Sequence, residues 1–549
     1  MDSILVAVLV VTAIVSASVL APRIGTAAPL VLLAIGLVVS LLPFTPEFEV
    51  DPELILAGLL PPLLYSAAVN MPTMDFRRDF RTISGLSVLL VIVSSLVLGG
   101  VFMLVIPGLD FALAVALGAI VSPTDAVATS IAKRLGVPSR VVTVLEGESL
   151  LNDATALVLL RSAVAATAAS VSLAGILVDF VWAVVGAVAI GWAVGAVVLR
   201  IRARIEDAAI TTAISFTVPF VAFLPAEHLG ASGLVAAVTA GLVMGHCQAR
   251  HLGPKQRLSD RQNWRTIELL LEGLVFLVMG LEVSALVQDV EETTEGGVLK
   301  AMVLAAVALA VVLAIRAVYT LAIVVMERRR YRRSPQLREA LDEWSTKVEG
   351  SEHPRAERLR RRLRRFSADI DFYDASRFGR REGFILVWAG MRGAVTLAAA
   401  QTLPTDTENR SLLVLVAFFV ALTSLVVQGG TLAWFVRRLG LAGREQGVDD
   451  EWHRLNLRML DAAGEALDDA DLPPGLGGVR ERVTRAMGDD SYDPAALYDV
   501  RLDIITRQRE VLLRERAEGT YSSEVLTRML AQLDADQIGI ELRRSGDSA

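Results

Sequence analysis

The 549-residue sequence contains one cysteine, Cys247, so a disulfide within the chain is excluded. It has no HExxH zinc motif, no segment that resembles a nucleic-acid-binding module and no lipidation motif at either end. Asp2 is the only early charge, so the first apolar stretch lacks the basic segment of a signal peptide and is expected to be a retained span. A zinc enzyme, a nucleic-acid partner and a bound cofactor are therefore not expected.

Long apolar blocks dominate the sequence. Hydrophobic residues make up 53% of the chain and the mean hydropathy is +0.52, too high for a soluble protein of this length. Because a transmembrane helix needs about 20 mostly apolar residues, we predict an all-α membrane protein with about 13 spans. The predicted spans cover residues 3–21, 27–43, 54–71, 83–107, 110–132, 141–166, 172–199, 208–224, 230–247, 266–286, 299–326, 383–403 and 411–437.

The loops between these stretches alternate in charge. One set is basic and includes Arg200, Arg202 and Arg204, whereas the other is acidic and includes Glu47, Glu49, Asp51 and Glu53. Lys and Arg mark the cytoplasmic side of a membrane. The alternation predicts a multi-pass protein of the cell inner (cytoplasmic) membrane, with its N-terminus outside and its C-terminus in the cytoplasm.

Two charged segments lie outside the spans. Residues 1–438 are predicted to form the membrane domain, interrupted by a basic cytoplasmic insert at 327–382, and residues 439–549 a helical, cytoplasmic tail with a regulatory role. The basic runs favour a topology anchor beside anionic lipid headgroups. A regulatory lipid site or a partner site is the alternative.

The fifth span contains the sequence Ser122-Pro123-Thr124-Asp125 near its middle. Proline removes a backbone donor and disfavours helix in the residue before it, and an acid suits the first turn of a new helix. The pattern predicts two half-helices with an unwound joint, which is tolerated at membrane depth only when it is buried or lines a cavity. A proline kink capped by Asp125 is the alternative.

Four polar residues cluster in the sixth span. Glu148 and Asn152 are four residues apart, as are Ser149 and Asp153, so each pair shares a helix face. Asp153 offers a hard anionic oxygen to a small cation, and Ser149 a hydroxyl. Charges at membrane depth are costly and indicate an ion or proton pathway by default, with salt-bridged structure as the alternative.

The twelfth span places Arg392 between glycines in the sequence Gly-Met-Arg-Gly-Ala-Val. A buried arginine needs an acid, and Glu148 is the expected partner in a structural ion pair. Spans 1–6 and 8–13 are consistent with two inverted six-helix repeats about the seventh, in which the broken fifth span corresponds to the twelfth.

The sequences SPTDAVA, GESLLND and GMRGAV, in this order, together with LPPLLYSAAVNMP at Leu60–Pro72, closely resemble the monovalent cation:proton antiporter family that contains the Na+/H+ exchangers. The resemblance implies two inverted repeats whose broken helices cross at the membrane midplane, and a homodimer. It implies that Asp153 is the ion-binding carboxylate and Asn152 its partner, that Asp125 and Thr124 line the crossing, and that Ser149 joins Asp153 and Thr124 around the transported Na+.

One position departs from the family pattern. Some members have an acid in the third-span motif where this chain has Ser66. Ser66 is a candidate ion-binding residue at that position, but it cannot supply the same charge. The choice among Na+, Li+ and K+ is therefore open. Other polar groups within the spans are expected to be boundary residues or packing pairs; these are Glu268, Glu272, Glu282, Arg316, Arg161, His246 and Gln428.

These features predict a secondary transporter, not an enzyme, that exchanges a monovalent cation, Na+ first, for H+ by alternating access. The resemblance implies one-for-one, electroneutral stoichiometry, which accompanies an Asn-Asp pair in the family. A K+/H+ antiporter and a cation channel of the same architecture are alternatives. A protease dyad of Asp125 and Asp153 lacks the Gly-Asp motif of such enzymes, and a sensor is disfavoured because the tail has no recognisable ligand motif.

Overall fold

Every regular element in the described part of the computed structural model is a helix. The structure describes residues 2–24, 26–42, 53–125, 127–168, 173–293, 296–332, 336, 338–339, 341, 343–344, 354–404, 407, 409–443, 448–469 and 494–547. Within these ranges eight helices are long and apolar enough to cross a membrane, and three shorter helices are also apolar. Glu47, Glu49 and Asp51 of the acidic loop lie outside the described residues.

Helical segments overlap every stretch predicted to span the membrane; thirteen crossings and inverted repeats remain predictions. The first eleven helices are α1 (Asp2–Ile24), α2 (Ala28–Ser40), α3 (Leu60–Asn70), α4 (Thr73–Ser84), α5 (Leu90–Val105), α6 (Phe111–Val121), α7 (Val127–Arg134), α8 (Ser139–Ala168), α9 (Leu173–Arg202), α10 (Ala208–His228) and α11 (Gly233–His251).

The remaining helices include the charged segments of the chain. They are α12 (Pro254–Leu281), α13 (Val283–Thr293), α14 (Gly297–Arg332), α15 (Pro354–Ala375), α16 (Arg380–Trp388), α17 (Ala394–Gln401), α18 (Arg410–Ser424), α19 (Gly430–Arg438), α20 (Val448–Asp469), α21 (Pro494–Glu518) and α22 (Ser523–Asp547).

Local sequence sets where several helices begin and where they bulge. Asp110 and Asp207 accept hydrogen bonds from the first backbone N–H groups of α6 and α10, as N-cap residues do. Single π-helical turns at Gly85–Leu89 and Leu425–Gly429 join α-helical segments without breaking the rod, and another at Leu54–Leu59 leads directly into α3.

Two of the predicted spans are broken rods. Helix α6 ends at Val121 and α7 begins at Val127, and α16 ends at Trp388 while α17 begins at Ala394. The first break contains Pro123, and the second contains the Gly390–Gly393 sequence. Both occur where the sequence predicts an unwound joint.

The chain divides into two compact units. The first comprises Met1–Gln248, Asp260–Arg330 and Phe378–Arg444, and its helices pack closely through small residues. A Cβ atom on Gly118 of α6, for example, would lie 2.4 Å from the Ser95 carbonyl oxygen of α5.

The second unit comprises Ala249–Ser259, Tyr331–Arg377 and Glu445–Ala549. Helices α20, α21 and α22 pack together in it. Its buried charges are paired: the Arg257 Nε donates to Asp534 at 2.9 Å, and Arg509 donates to the same carboxylate at 3.1 Å.

Candidate ion-binding site

The two unwound joints touch each other inside the first unit. The Asp125 N–H donates a 2.7 Å hydrogen bond to the Met391 carbonyl oxygen. The Asp125 carboxylate lies against Gly393, where a Cβ atom would be 1.9 Å from Oδ2. Only glycine permits this approach, so Gly393 in the second break is required for the crossing.

Charges at the crossing oppose the dipoles of the half-helices. Arg392 is 1% exposed; its Nε donates to the Val121 carbonyl at the end of α6 at 3.0 Å, and its Nη1 donates to Gly390 just beyond α16. Asp125 lies beside Gly393, the N-cap of α17. A cation at helix C-termini and an anion at an N-terminus are both favourable.

The structural partner of Glu148 is Arg316 on α14. Arg316 is 1% exposed and forms a two-point ion pair with Glu148, with Nη2 and Oε2 at 2.8 Å and Nη1 on Oε1, and its Nε donates to the Leu386 carbonyl at 2.8 Å. The predicted Glu148–Arg392 pair is therefore wrong. Arg392 is drawn to the carbonyls of two helix ends, and Arg316 supplies the planar fork that a carboxylate prefers.

Thr124 and Asn152 extend this ion pair toward the crossing. The Asn152 Nδ2 donates to the Thr124 hydroxyl, which in turn donates to Glu148 Oε1 at 3.4 Å. The Thr124 side chain is thus engaged within the protein. The Thr124 backbone carbonyl accepts no hydrogen bond from any described residue, so it is the more available of the two Thr124 oxygens.

Asp153 lies beside this network and is not bonded into it. It is 6% exposed, and its Oδ1 has no hydrogen-bond partner among the described residues; the same holds for Oδ1 of Asn152, which is 1% exposed. Buried polar atoms are nearly always paired. A carboxylate oxygen and an amide oxygen, both buried on α8 and both without a hydrogen-bond partner in the described chain, are hard donors of the kind that bind a small cation.

The electrostatic environment joins Asp153 to the crossing. Asp125 is close enough to Asp153 for their carboxylates to repel each other. Ser149 is one helical turn before Asp153 on α8 and is 8% exposed, and its hydroxyl forms no hydrogen bond with any described residue. The structure therefore brings Asp125, Thr124, Asn152 and Asp153 together and leaves the Ser149 hydroxyl available.

Ser66 has a different contact. Its hydroxyl donates to Glu268 Oε2 on α12 at 3.3 Å, and the residue is 1% exposed. The sequence alone predicts Arg316 and Glu268 only as boundary or packing groups. Their burial inside apolar helices was the available signal, but the choice of partner depends on which helices meet.

The family model for transmembrane sodium/hydrogen exchangers matches residues 8–438. An uncharacterised Na+/H+ exchanger of Mycobacterium tuberculosis is 29% identical over 559 residues, covering 97% of this chain and 95% of the relative. The Na+/H+ antiporter NhaH of Halobacillus aidingensis is 28% identical over 430 residues, which is 75% of this chain and 91% of that protein.

Two further matches are of different kinds: one is a relative in sequence and the other is a solved structure. A Bacillus subtilis antiporter named for sodium, potassium, lithium and rubidium is 31% identical over 264 residues, 46% of this chain and 39% of that protein. Among solved structures, the sodium proton antiporter MjNhaP1 of Methanocaldococcus jannaschii aligns with a TM-score of 0.58 at 16% identity, over 80% of this chain and 99% of that one. The last match shows a shared fold.

Proposed function

Because the chain belongs to the sodium/hydrogen exchanger family, and is thus a multi-pass cation:proton antiporter and not an enzyme, we propose that it exchanges Na+ for H+ at Asp153 by alternating access. The observation that carries this proposal is the pair of unpaired, buried oxygens on Asp153 and Asn152 at the crossing of the broken helices. A permanently paired carboxylate has no capacity for a transported ion, whereas this one does.

Competition for one carboxylate is the proposed basis of exchange. Asp153 holds either a proton or a cation, because a proton on the carboxylate removes the charge that attracts the cation. The backbone carbonyl of Thr124, the Ser149 hydroxyl and the Asn152 amide oxygen complete the coordination by hard oxygens. Asp125 contributes negative charge to the site from the α6–α7 joint.

Coupling follows from the cost of charge in the barrier. A site loaded with either ligand crosses, whereas an empty carboxylate must remain where water reaches it, because a bare charge at membrane depth costs at least about 2.5–3.5 kcal/mol. Each cycle thus carries one cation one way and one proton the other way, without net charge movement. The Glu148–Arg316 pair holds the broken helix in place and does not move charge.

The proposal includes the surroundings of the site. We place the N-terminus outside and the second unit in the cytoplasm, because the basic loops lie on one side of the predicted topology. Spans 1–6 and 8–13 are proposed to be inverted repeats, and the active form a homodimer in the cell membrane. The insert and tail are proposed to regulate exchange.

A K+/H+ antiporter is the second candidate. It is favoured by the Bacillus subtilis relative, which is named for four alkali cations, and by Ser66, which leaves the third span without an acid. The order of selectivity among Na+, Li+ and K+ distinguishes the two candidates.

Everted membrane vesicles from host cells without their own antiporters provide the test. A pH-sensitive dye reports proton release after NaCl, LiCl or KCl is added. We expect the wild-type protein to respond to at least one cation and the Asp153→Asn variant to match vesicles without the protein. The matched control is Glu291→Gln, an exposed acid on α13, which should respond like the wild type. Exchange by the Asp153→Asn variant at the wild-type rate would disprove the role of Asp153.

A further inference from the structure

We infer that Glu268 and Glu272 on α12 attract the cation and pass it from the basic-loop face of the protein to Asp125 and Asp153. This inference rests on the proposed function and adds two residues that determine access from one side of the membrane. It assigns a transport role to groups that the sequence alone indicates only as boundary or packing residues.

Neither acid is explained by a structural ion pair. Both side chains are half-buried within a helix that is long and apolar enough to cross a membrane. Neither carboxylate is within 4.0 Å of a Lys, Arg or His nitrogen of the described chain; the hydrogen-bond partner of Glu268 is the neutral Ser66 hydroxyl at 3.3 Å. Acids at membrane depth without a basic partner are costly, which favours a role with a mobile cation.

The two acids follow one another along the axis of α12. Glu268 and Glu272 are four residues apart on α12, so they share a face and are offset by about 6 Å along the axis. Glu268 is nearer the basic N-terminal part of α12, which contains Lys255 and Arg261. Glu272 is within electrostatic range of both Glu268 and Asp125.

The line of carboxylates ends at an unpaired, buried atom. Asp125 is within electrostatic range of Glu272 and also of Asp153. Asp153 is 6% exposed and its Oδ1 has no partner in the described part of the chain. Successive like charges repel one another unless a cation lies among them, so their arrangement favours an entering cation at each step.

Basic side chains surround the end of α12 that is nearer the basic-loop face, and the two acids offset their positive potential. Lys133 and Arg265 are within electrostatic range of Glu268, and Arg134 is within range of Glu272. Lys133 is paired with Glu146, which reduces its repulsion of a cation. A cation that approaches from this face meets positive charge, and a local negative potential from Glu268 and Glu272 offsets it.

The test separates the two sides of the membrane. Everted vesicles expose the basic-loop face to added Na+, and right-side-out vesicles expose the opposite face. For Glu272→Gln we expect the apparent KM for Na+ to rise about three- to tenfold in everted vesicles, the effect of losing one nearby charge. The rise for Glu268→Gln is smaller, and the KM from the opposite face changes less than about twofold.

Ionic strength gives a readout that a purely structural role would not move. Adding choline chloride should raise the wild-type KM measured from the basic-loop face, because salt screens the attraction. The double variant Glu268→Gln/Glu272→Gln should show a weaker dependence on salt. Glu272→Asp, which keeps the charge, should restore most of the affinity, and Glu291→Gln should match the wild type on both faces.

Three results would overturn the inference: an unchanged KM in Glu272→Gln, an equal change from both faces, or a loss of maximal rate at constant KM. If Glu272→Gln does not fold, the half-buried Glu268→Gln and the charge-preserving Glu272→Asp decide the matter. Failure of the proposed function is a distinct result, because the wild-type protein would then release no protons with Na+, Li+ or K+.

Discussion

Two of the buried ionisable groups on helix α8 have opposite surroundings. Near its start, Arg140 is 2% exposed and donates to both oxygens of Asp79 at 2.8–3.1 Å and to Glu327 at 3.3 Å, and its guanidinium lies 4.7 Å from the Phe378 ring centre. Further along, Asp153 is 6% exposed and has an oxygen with no partner in the described chain. Both groups are ionisable and buried, but in the described chain only Arg140 has partners that compensate its charge.

This difference separates a charge that the fold compensates from a carboxylate that the described chain leaves uncompensated. A protein is strongly destabilised when one partner of a buried ion pair is removed. An unpaired buried carboxylate destabilises the protein as it stands, so its presence requires another explanation. The Glu148–Arg316 pair is neutralised within the fold, as Arg140 is, although both residues line the same small cavity as Asn152 and Arg392.

The largest effect on stability is expected at Arg316. Replacing it with Met strands the buried Glu148 carboxylate and should reduce the free energy of unfolding by about 3–5 kcal/mol. The matched control is Arg392→Met, which removes a guanidinium bound to carbonyls and strands no acid, and should cost less. Thermal unfolding of the purified protein in detergent measures both. Equal losses of stability in the two variants would indicate that Arg392 compensates the Glu148 carboxylate as much as Arg316 does.

A crossed pair of amide substitutions tests the comparison directly. Asp79→Asn weakens the ion pair with Arg140 and should reduce the free energy of unfolding by about 2–3 kcal/mol, with the KM for Na+ unchanged. Asp153→Asn removes an unpaired buried charge and should abolish exchange while stability stays the same or rises. Unfolding and proton flux are measured on the same preparations. A large loss of stability in Asp153→Asn would show that its carboxylate is structural.

The close approach of the two joints predicts a smaller effect at Gly393. Gly393→Ala places a Cβ atom 1.9 Å from the Asp125 carboxylate, so the joints must separate, at a cost of about 1–3 kcal/mol for overpacking. Exchange should fall sharply because Asp125 moves from Asp153. Gly430→Ala is the control, since no atom lies within 4 Å of its added Cβ, and it should leave the exchange rate unchanged.

The smallest effect is expected at an exposed pair in the second unit. Arg544 and Asp499 form a 2.8 Å ion pair with side chains 48% and 58% exposed. Arg544→Ala should change the free energy of unfolding by less than about 1 kcal/mol, because solvent screens the pair. A loss comparable to that of Arg316→Met would mean that burial does not decide the value of an ion pair in this protein.

Much of the fold could be predicted from local sequence. Apolar length marks the helices, and Pro123 and the Gly390–Gly393 sequence mark both broken helices, because proline and glycine act on the backbone where they stand. The candidate site was predicted through Asn152 and Asp153. The Arg392 pairing was wrong, since an acid in one helix does not specify which of two distant arginines faces it.

The sequence by itself determined that this chain is helical, apolar and interrupted at two points, because hydrophobic periodicity, proline and glycine act within a few residues. It also determined which side chains carry charge at membrane depth. Only the tertiary structure decided which of those charges are neutralised: Arg316 reaches Glu148, Ser66 reaches Glu268, and nothing in the described chain pairs Oδ1 of Asp153. Pairing depends on distances of a few ångströms between segments far apart in the chain, and packing alone sets those distances.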